Sequence, residues 1–201
     1  MEIISLSSAI GAEIRGVDLS KGLDTAQASA IEKAWYDHIV LLFRNQDLSI
    51  EAHKAFASRF GEIARHERPK AIRNEAAELG PNVMLVSNIR ENGKPIGSLP
   101  DGEMMFHSDT PYREHPDKAT VLYAMEVPST GGNTIFANCY LAAETLPEDV
   151  KARLGGRKAI QIFEYGAVTK DGKFDRENGR WWAQPVFRKH PVTGKTALYV
   201  S

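Results

Sequence analysis

No apolar run in this chain is longer than five residues, and glycine, proline and charge separate the runs. Runs such as Ile39–Phe43 and Val121–Met125 fall far short of the ~20 residues needed to span a bilayer as a helix. Each is the length of one strand, so the core has to be assembled from many short elements brought together from distant parts of the chain. With 201 residues, 42% of them hydrophobic, there is enough chain for that core, because a domain of this size buries ~70% of its unfolded surface. The charge is balanced, 25 basic against 26 acidic residues, with no basic cluster of the kind that phosphate neutralisation by a nucleic-acid binder requires. Met1-Glu2-Ile3-Ile4 lacks the basic start of a secretory leader, and the single cysteine, Cys139, has no partner for an internal disulfide. Cys139 reads as a small buried hydrophobe, and a cytoplasmic chain with no membrane and no nucleic-acid partner is expected.

Local signals give mainly β structure with flanking helices, an α+β chain without repeats or linkers. Glu2–Leu6 and Glu13–Val17 read as strands around Gly11. Asp24 with Gln27 forms a capping box for a helix through Ile31 and Trp35, and Ser49 caps a second helix carrying Ala52, Phe56 and Phe60 on one face, with His53 partly buried. Ile39–Phe43 reads as a fully buried strand, Val83–Asn88 as another, and Ala119–Val127 with Asn133–Asn138 as a pair joined at Pro128–Gly132. Pro147 opens a short helix ending at Gly155-Gly156; Lys158–Tyr165, Pro185–Phe187 and Ala197–Val200 complete the strands. Residues 64–80 and 89–105 are polar, irregular and long, the pattern of loops that close over a site. The chain stops inside a predicted strand at Ser201, which reads as an interruption.

Two H-x-D motifs occur where six histidines and ten aspartates predict about 0.3 by chance, so spacing alone proves little. In Phe106-His107-Ser108-Asp109 a strand would place His107 and Asp109 on one face, offering an imidazole and a carboxylate to one ion. With one further histidine they would form the facial triad that suits non-haem Fe(II) and leaves positions open for oxygen chemistry. The alternative is a hydrogen-bonded pair at a strand end. His115 and Asp117 flank Pro116 in a charged loop and have no reason to share a face.

The stretch from His107-Ser108-Asp109 through Val127-Pro128-Ser129-Thr130-Gly131-Gly132-Asn133-Thr134-Ile135-Phe136 to Leu141–Leu146 resembles the TauD/TfdA family of Fe(II)- and 2-oxoglutarate-dependent dioxygenases. The resemblance extends to Ile10–Leu19, to Arg59-Phe60-Gly61-Glu62 and to His190–Lys195 before Ala197-Leu198-Tyr199-Val200, so nearly the whole chain reads as one domain of that type. It implies a double-stranded β-helix, the jelly roll of clavaminate synthase-like proteins, incomplete at its C-terminus. It also implies His107 and Asp109 as iron ligands, Thr134 as a hydroxyl donor to a 2-oxoglutarate carboxylate, and O2 as oxidant. On bare sequence Thr134 is an ordinary strand former and Gly131-Gly132 a hairpin turn.

The family's third ligand, a histidine, and the arginine that pairs with the far carboxylate of 2-oxoglutarate come from late strands; both are expected after Ser201. His190, in the turn Lys189–Gly194, reads as structural. His66 stands where the family's taurine enzyme has a substrate-contacting histidine, and its other reading is a solvated loop residue. Asn88 and Tyr112 are pocket candidates whose alternatives are a turn former and a packing residue. Trp181-Trp182 suits a pocket wall or the anchor of a homo-oligomer interface. The leading reading is a dioxygenase hydroxylating a small organic acid, of sulfonate or aryloxy-acid type, with release of succinate and CO2. The alternatives are a non-catalytic ligand-binding jelly roll and a zinc hydrolase using the same pair. The loops 64–80 and 89–105 carry a slight basic excess, which permits an anionic substrate.

Overall fold

The computed structural model of the chain describes residues 1–65, 79–80, 82–97, 105–163, 177 and 179–200. They fall into two compact units, one made of Met1–Val17, Asp24–Asn45 and Phe106–Ser201, the other of Asp18–Leu23 and Gln46–Met105.

In the first unit β1 (Glu2–Ser5) runs antiparallel to β2 (Ala12–Arg15), with Ile3 opposite Ile14 and Ile4 opposite Glu13. The turn between them closes through Leu6 N–H to Gly11 O at 2.9 Å, while the Ser7 hydroxyl oxygen accepts from Ile10 N–H at 2.9 Å. Helix α1 (Thr25–His38) leads to β3 (Leu41–Leu42), which pairs in parallel with β2. Its start is fixed as expected: Asp24 accepts from Gln27 N–H at 2.7 Å and the Gln27 side chain accepts from Asp24 N–H at 3.1 Å. The helix packs on β2 and β3, and its Ile31 and Ala34 are buried, as are Ala12 and Ile14 of β2. Glu13 points the other way, as the period of two requires, and its carboxylate meets Arg15 at 2.8 Å and Arg44 at 3.7 Å. The Arg15 hydrogen bond, with both arginine charges, holds the Glu13 carboxyl below the usual range.

The later part of this unit contains α3 (Cys139–Thr145), α4 (Glu148–Leu154) and four strands: β6 (Lys158–Ile162), β7 (Trp181–Pro185), β8 (Phe187–Lys189) and β9 (Thr196–Leu198), numbered after the β4–β5 hairpin of the second unit. β6 pairs antiparallel with β7 and β8 with β9. Val186, 4% exposed, joins the two ribbons: its N–H bonds Arg157 O at 3.0 Å and its carbonyl accepts from Tyr199 N–H at 2.7 Å. The chain thus exchanges one partner strand for another at a single buried residue. Helix α3 packs on β9.

The second unit contains a 3-10 turn (Leu19–Lys21), α2 (Ile50–Ser58) and a hairpin of β4 (Arg90–Glu91) and β5 (Lys94–Pro95). Ser49 caps α2 by accepting from Ala52 N–H at 3.1 Å, and the buried Phe56 meets Phe60 edge-on at 5.3 Å. His53 is half-buried. The hairpin turns at Asn92-Gly93, both at positive φ (51° and 77°), the conformation that a two-residue turn matched to strand twist requires.

Several expected elements differ. Ile39–Phe43 is not one buried strand: Ile39 takes φ 71° to end α1, leaving only half-buried Leu41–Leu42 paired. Val83–Asn88 contributes a single bridge at Val86. Ala119–Val127 and Asn133–Asn138 form no ladder with any described strand, and Leu122, Met125, Val127 and Ile135 are 69–75% exposed. Strand-forming composition supplies one half of a ladder; without an adjacent edge the segment stays unpaired. The late strand begins at Trp181 rather than Pro185, and Cys139 is exposed instead of buried. The stretch 89–105 is not wholly irregular, since it holds the β4–β5 hairpin; most of 64–80, with His66, lies outside the described residues, as do 98–104. Among the described residues no helix is long and apolar enough to cross a membrane.

Candidate active site

His107 lies in irregular backbone and Asp109 on a bend, neither of them on a strand, yet their side chains converge: His107 Nε2 lies 3.5 Å from Asp109 Oδ1. Both are about half exposed, at 45% and 48%, so this pair presents an open face. The second carboxylate oxygen of Asp109 accepts a hydrogen bond from the Thr120 hydroxyl, leaving Oδ1 as the oxygen turned toward the imidazole. Two donors ~2.1 Å from one ion at right angles stand ~3.0 Å apart, so a small closure of the pair would let both hold a divalent cation. An imidazole beside a carboxylate is a donor set for iron, manganese or zinc. Among the described residues no third His, Cys, Asp or Glu joins them.

The segment after Asp109 is tightly tied. Thr110, 7% exposed with φ 50°, accepts at its carbonyl from Arg113 N–H (3.1 Å) and at its hydroxyl oxygen from Asp117 N–H (2.9 Å). Arg113 Nη1 also lies 3.3 Å from Asp117 Oδ1. The carboxylate of the second H-x-D motif is therefore engaged with Arg113, and no described contact joins it to His115.

Two further side chains approach from the sheet ribbons. Gln184 of β7 is 3% exposed and donates to Pro111 O (3.1 Å) and Arg113 O (2.6 Å), while its carbonyl oxygen accepts from Arg188 at 3.0 Å. The Arg188 guanidinium lies over the Tyr199 ring at 5.1 Å. Burial pushes the Tyr199 phenol up; the guanidinium of Arg188 opposes this, and the charge of Asp109 adds to it.

The other sequence candidates scatter. Tyr112 packs on Phe163, ring centroids 4.8 Å apart, with Arg113 5.9 Å from its centroid. Thr134 is exposed and lies outside any strand; Asn88, in the second unit, is also exposed. Trp181 and Trp182 occupy β7, Trp182 40% exposed. His190 Nδ1 accepts from Val192 N–H (3.3 Å) and Thr193 N–H (3.1 Å), so it braces its own turn. Thr120, Gln184, Arg188 and Tyr199 escaped the sequence reading. Only Gln184 had a signal: in Trp181-Trp182-Ala183-Gln184 the alternation puts a polar side chain on one face of a strand.

The sequence profile of the taurine catabolism dioxygenase TauD, TfdA family matches residues 2–201. The chain is 33% identical to pentalenolactone F synthase of Streptomyces avermitilis over 214 residues, covering 96% of this chain and 68% of that protein. It is 29% identical to an alpha-ketoglutarate-dependent sulfate ester dioxygenase of Pseudomonas putida, covering 98% of this chain and 65% of the other. A crystal structure of a taurine dioxygenase from Burkholderia xenovorans superposes on all of this chain and 63% of its own, with a TM-score of 0.75 at 27% identity. The chain thus spans about two thirds of the length of these relatives. On the profile match and these likenesses, it belongs to the taurine catabolism dioxygenase TauD, TfdA family.

Proposed function

We propose that the protein is an Fe(II)- and 2-oxoglutarate-dependent dioxygenase that hydroxylates a small organic acid and releases succinate and CO2. The observation that carries this reading is the facing of His107 Nε2 and Asp109 Oδ1, with Thr120 holding the other carboxylate oxygen. His107 and Asp109 would hold the iron. Bound iron would supply oxygen activation coupled to oxidative decarboxylation of 2-oxoglutarate. What the chain's own residues contribute is orientation. Thr120 fixes which oxygen of Asp109 faces the imidazole, and the braced loop 110–117 fixes the backbone on which both donors stand. Thr134 is the proposed hydroxyl donor to a 2-oxoglutarate carboxylate, in a jelly roll completed by the whole protein. His66, Asn88 and the Tyr112 hydroxyl are the proposed substrate contacts, with 64–80 and 89–105 as covering loops. The sulfate ester relative supports an acidic substrate, and the slight basic excess of those loops agrees with it.

The test is Fe(II)-dependent succinate release by the full-length protein across sulfonates, sulfate esters and aryloxy acids, with neutral and cationic analogues alongside. Turnover with an acid, lost in Asp109→Ala, is expected. Turnover that survives that substitution would remove Asp109 from the metal centre. Turnover confined to neutral or cationic compounds would overturn the substrate class. Hydrolysis supported by Zn(II) without 2-oxoglutarate would favour a hydrolase.

A further inference from the structure

We propose that Gln184 is a positioning residue for the metal centre, acting through the loop that follows Asp109. The inference rests on the reading of His107 and Asp109 as metal ligands. Neither of those two residues lies on a strand, so no ladder of backbone hydrogen bonds sets their directions. Their geometry has to come from side-chain contacts made to the segment around them. Gln184 makes the most direct of these from the sheet. Both hydrogens of its buried amide go to backbone carbonyls two and four residues beyond Asp109, Pro111 O at 3.1 Å and Arg113 O at 2.6 Å. Its oxygen is occupied by Arg188, which orients the amide so that both donors face the loop.

The loop is built to transmit that grip. Its internal bonds, Arg113 N–H to Thr110 O and Asp117 N–H to the Thr110 hydroxyl, make 110–117 one braced body whose first residue follows Asp109 directly. Phe163, just past β6, holds the loop's other side through Tyr112. Arg188 continues from Gln184 to the ring of Tyr199, whose surroundings include the Asp109 charge. Removing the amide would free one buried and one half-buried carbonyl and let the Asp109 backbone drift. A metal ligand is sensitive to such drift: loss of an outer contact commonly weakens metal binding 10–100-fold.

The same ribbon provides its own control. Gln161 lies across from Trp182, and Ala159 from Gln184, so Gln161 and Gln184 share one ribbon face. Gln161 is also 3% exposed, and the hydrogen bonds from this ribbon face to Pro111 O and Arg113 O come from Gln184 instead. Gln161→Ala therefore tests burial on that face without the grip on the loop.

The experiment is Mn(II) titration of the full-length protein, read as free Mn(II) by electron paramagnetic resonance, with folding followed by circular dichroism. Wild type, Asp109→Ala, Gln161→Ala, Gln184→Ala and Gln184→Glu are compared. Gln184→Glu keeps an oxygen for Arg188 but loses both donors to the loop. About 10-fold or greater weakening in both Gln184 variants, with Gln161→Ala unchanged in Mn(II) affinity, is expected. Folded Gln184 variants with wild-type affinity would overturn the proposal while leaving the metal centre intact. Equal weakening by Gln161→Ala would reduce Gln184 to packing and overturn it too. Wild-type affinity in Asp109→Ala would instead strike the ligand reading, and with it this inference. Should Gln184→Ala not fold, Gln184→Asn, which keeps the amide but shortens its reach, is read by the same criteria.

Discussion

Asn138 joins two parts of the first unit, the start of α3 and the β1–β2 turn, and its replacement by alanine tests whether they depend on one another. Its carbonyl oxygen caps α3 by accepting from Tyr140 N–H (3.0 Å) and Leu141 N–H (3.1 Å), and its amide donates to Ala9 O at 2.6 Å. Loss of a capping side chain costs ~1 kcal/mol. Loss of the exposed hydrogen bond to Ala9 O, whose carbonyl water can then meet, adds ~0.5 kcal/mol. Asn138→Ala should therefore destabilise by ~1.5 kcal/mol, and Asn138→Asp, which retains the cap but not the donor, by ~0.5 kcal/mol. The difference has a structural meaning. The cap holds α3, whose buried Ala143 lies on the helix packed against β9, whereas the amide ties that helix start to the β1–β2 turn. Urea unfolding of the full-length protein, followed by circular dichroism, gives both values as midpoint shifts at constant slope. The reasoning fails if Asn138→Asp is as unstable as Asn138→Ala, because the cap would then contribute nothing. It fails equally if Asn138→Ala costs less than ~0.5 kcal/mol, below the range of a real cap.

Thr120→Val, similar in shape but without the hydroxyl, should weaken Mn(II) binding by about 10-fold or more, while Thr120→Ser holds it; equal affinities in all three proteins would remove Thr120 from the centre. His190 supplies a pH dependence. Burial, with the nearby Lys118 charge, holds its pKa below the ordinary value, and its Nδ1 accepts two turn N–H groups only while unprotonated. The unfolded chain therefore takes up the proton first as pH falls. The His190 contribution is complete above about pH 6.5 and is lost as pH drops toward and through the depressed folded pKa. The urea midpoint should fall more between pH 7.5 and 5.5 in the wild type than in His190→Asn, whose side-chain oxygen can still accept from the turn; parallel loss in both would refute this.

Signals confined to a few neighbouring residues could be read directly. The Asp24/Gln27 box, the Ser49 cap and the Pro147 helix start each depend on bonds or conformations local to the chain, whereas Gly131-Gly132, though at positive φ, joins no hairpin of described strands. The His107-x-Asp109 spacing was legible for the same reason, although irregular backbone rather than a strand brings the two side chains together. Asn92-Gly93 carried an equally local hairpin signal, passed over inside a stretch that looked merely polar. Pairing is different, because a strand's composition says that it will accept a partner but not which one, or whether one is adjacent. Trp181–Pro185 found Lys158–Ile162 across eighteen intervening residues, whereas Ala119–Val127, richer in strand formers, found no described edge. The supports of the site follow the same rule. Thr120 reaches Asp109 over 11 residues and Gln184 reaches Arg113 over 71, distances at which a hydrogen bond leaves no trace in local periodicity. The sequence by itself determined the family and the His107-x-Asp109 spacing; only the tertiary structure decided what holds those two side chains in place, since that depends on contacts the folded chain alone can make.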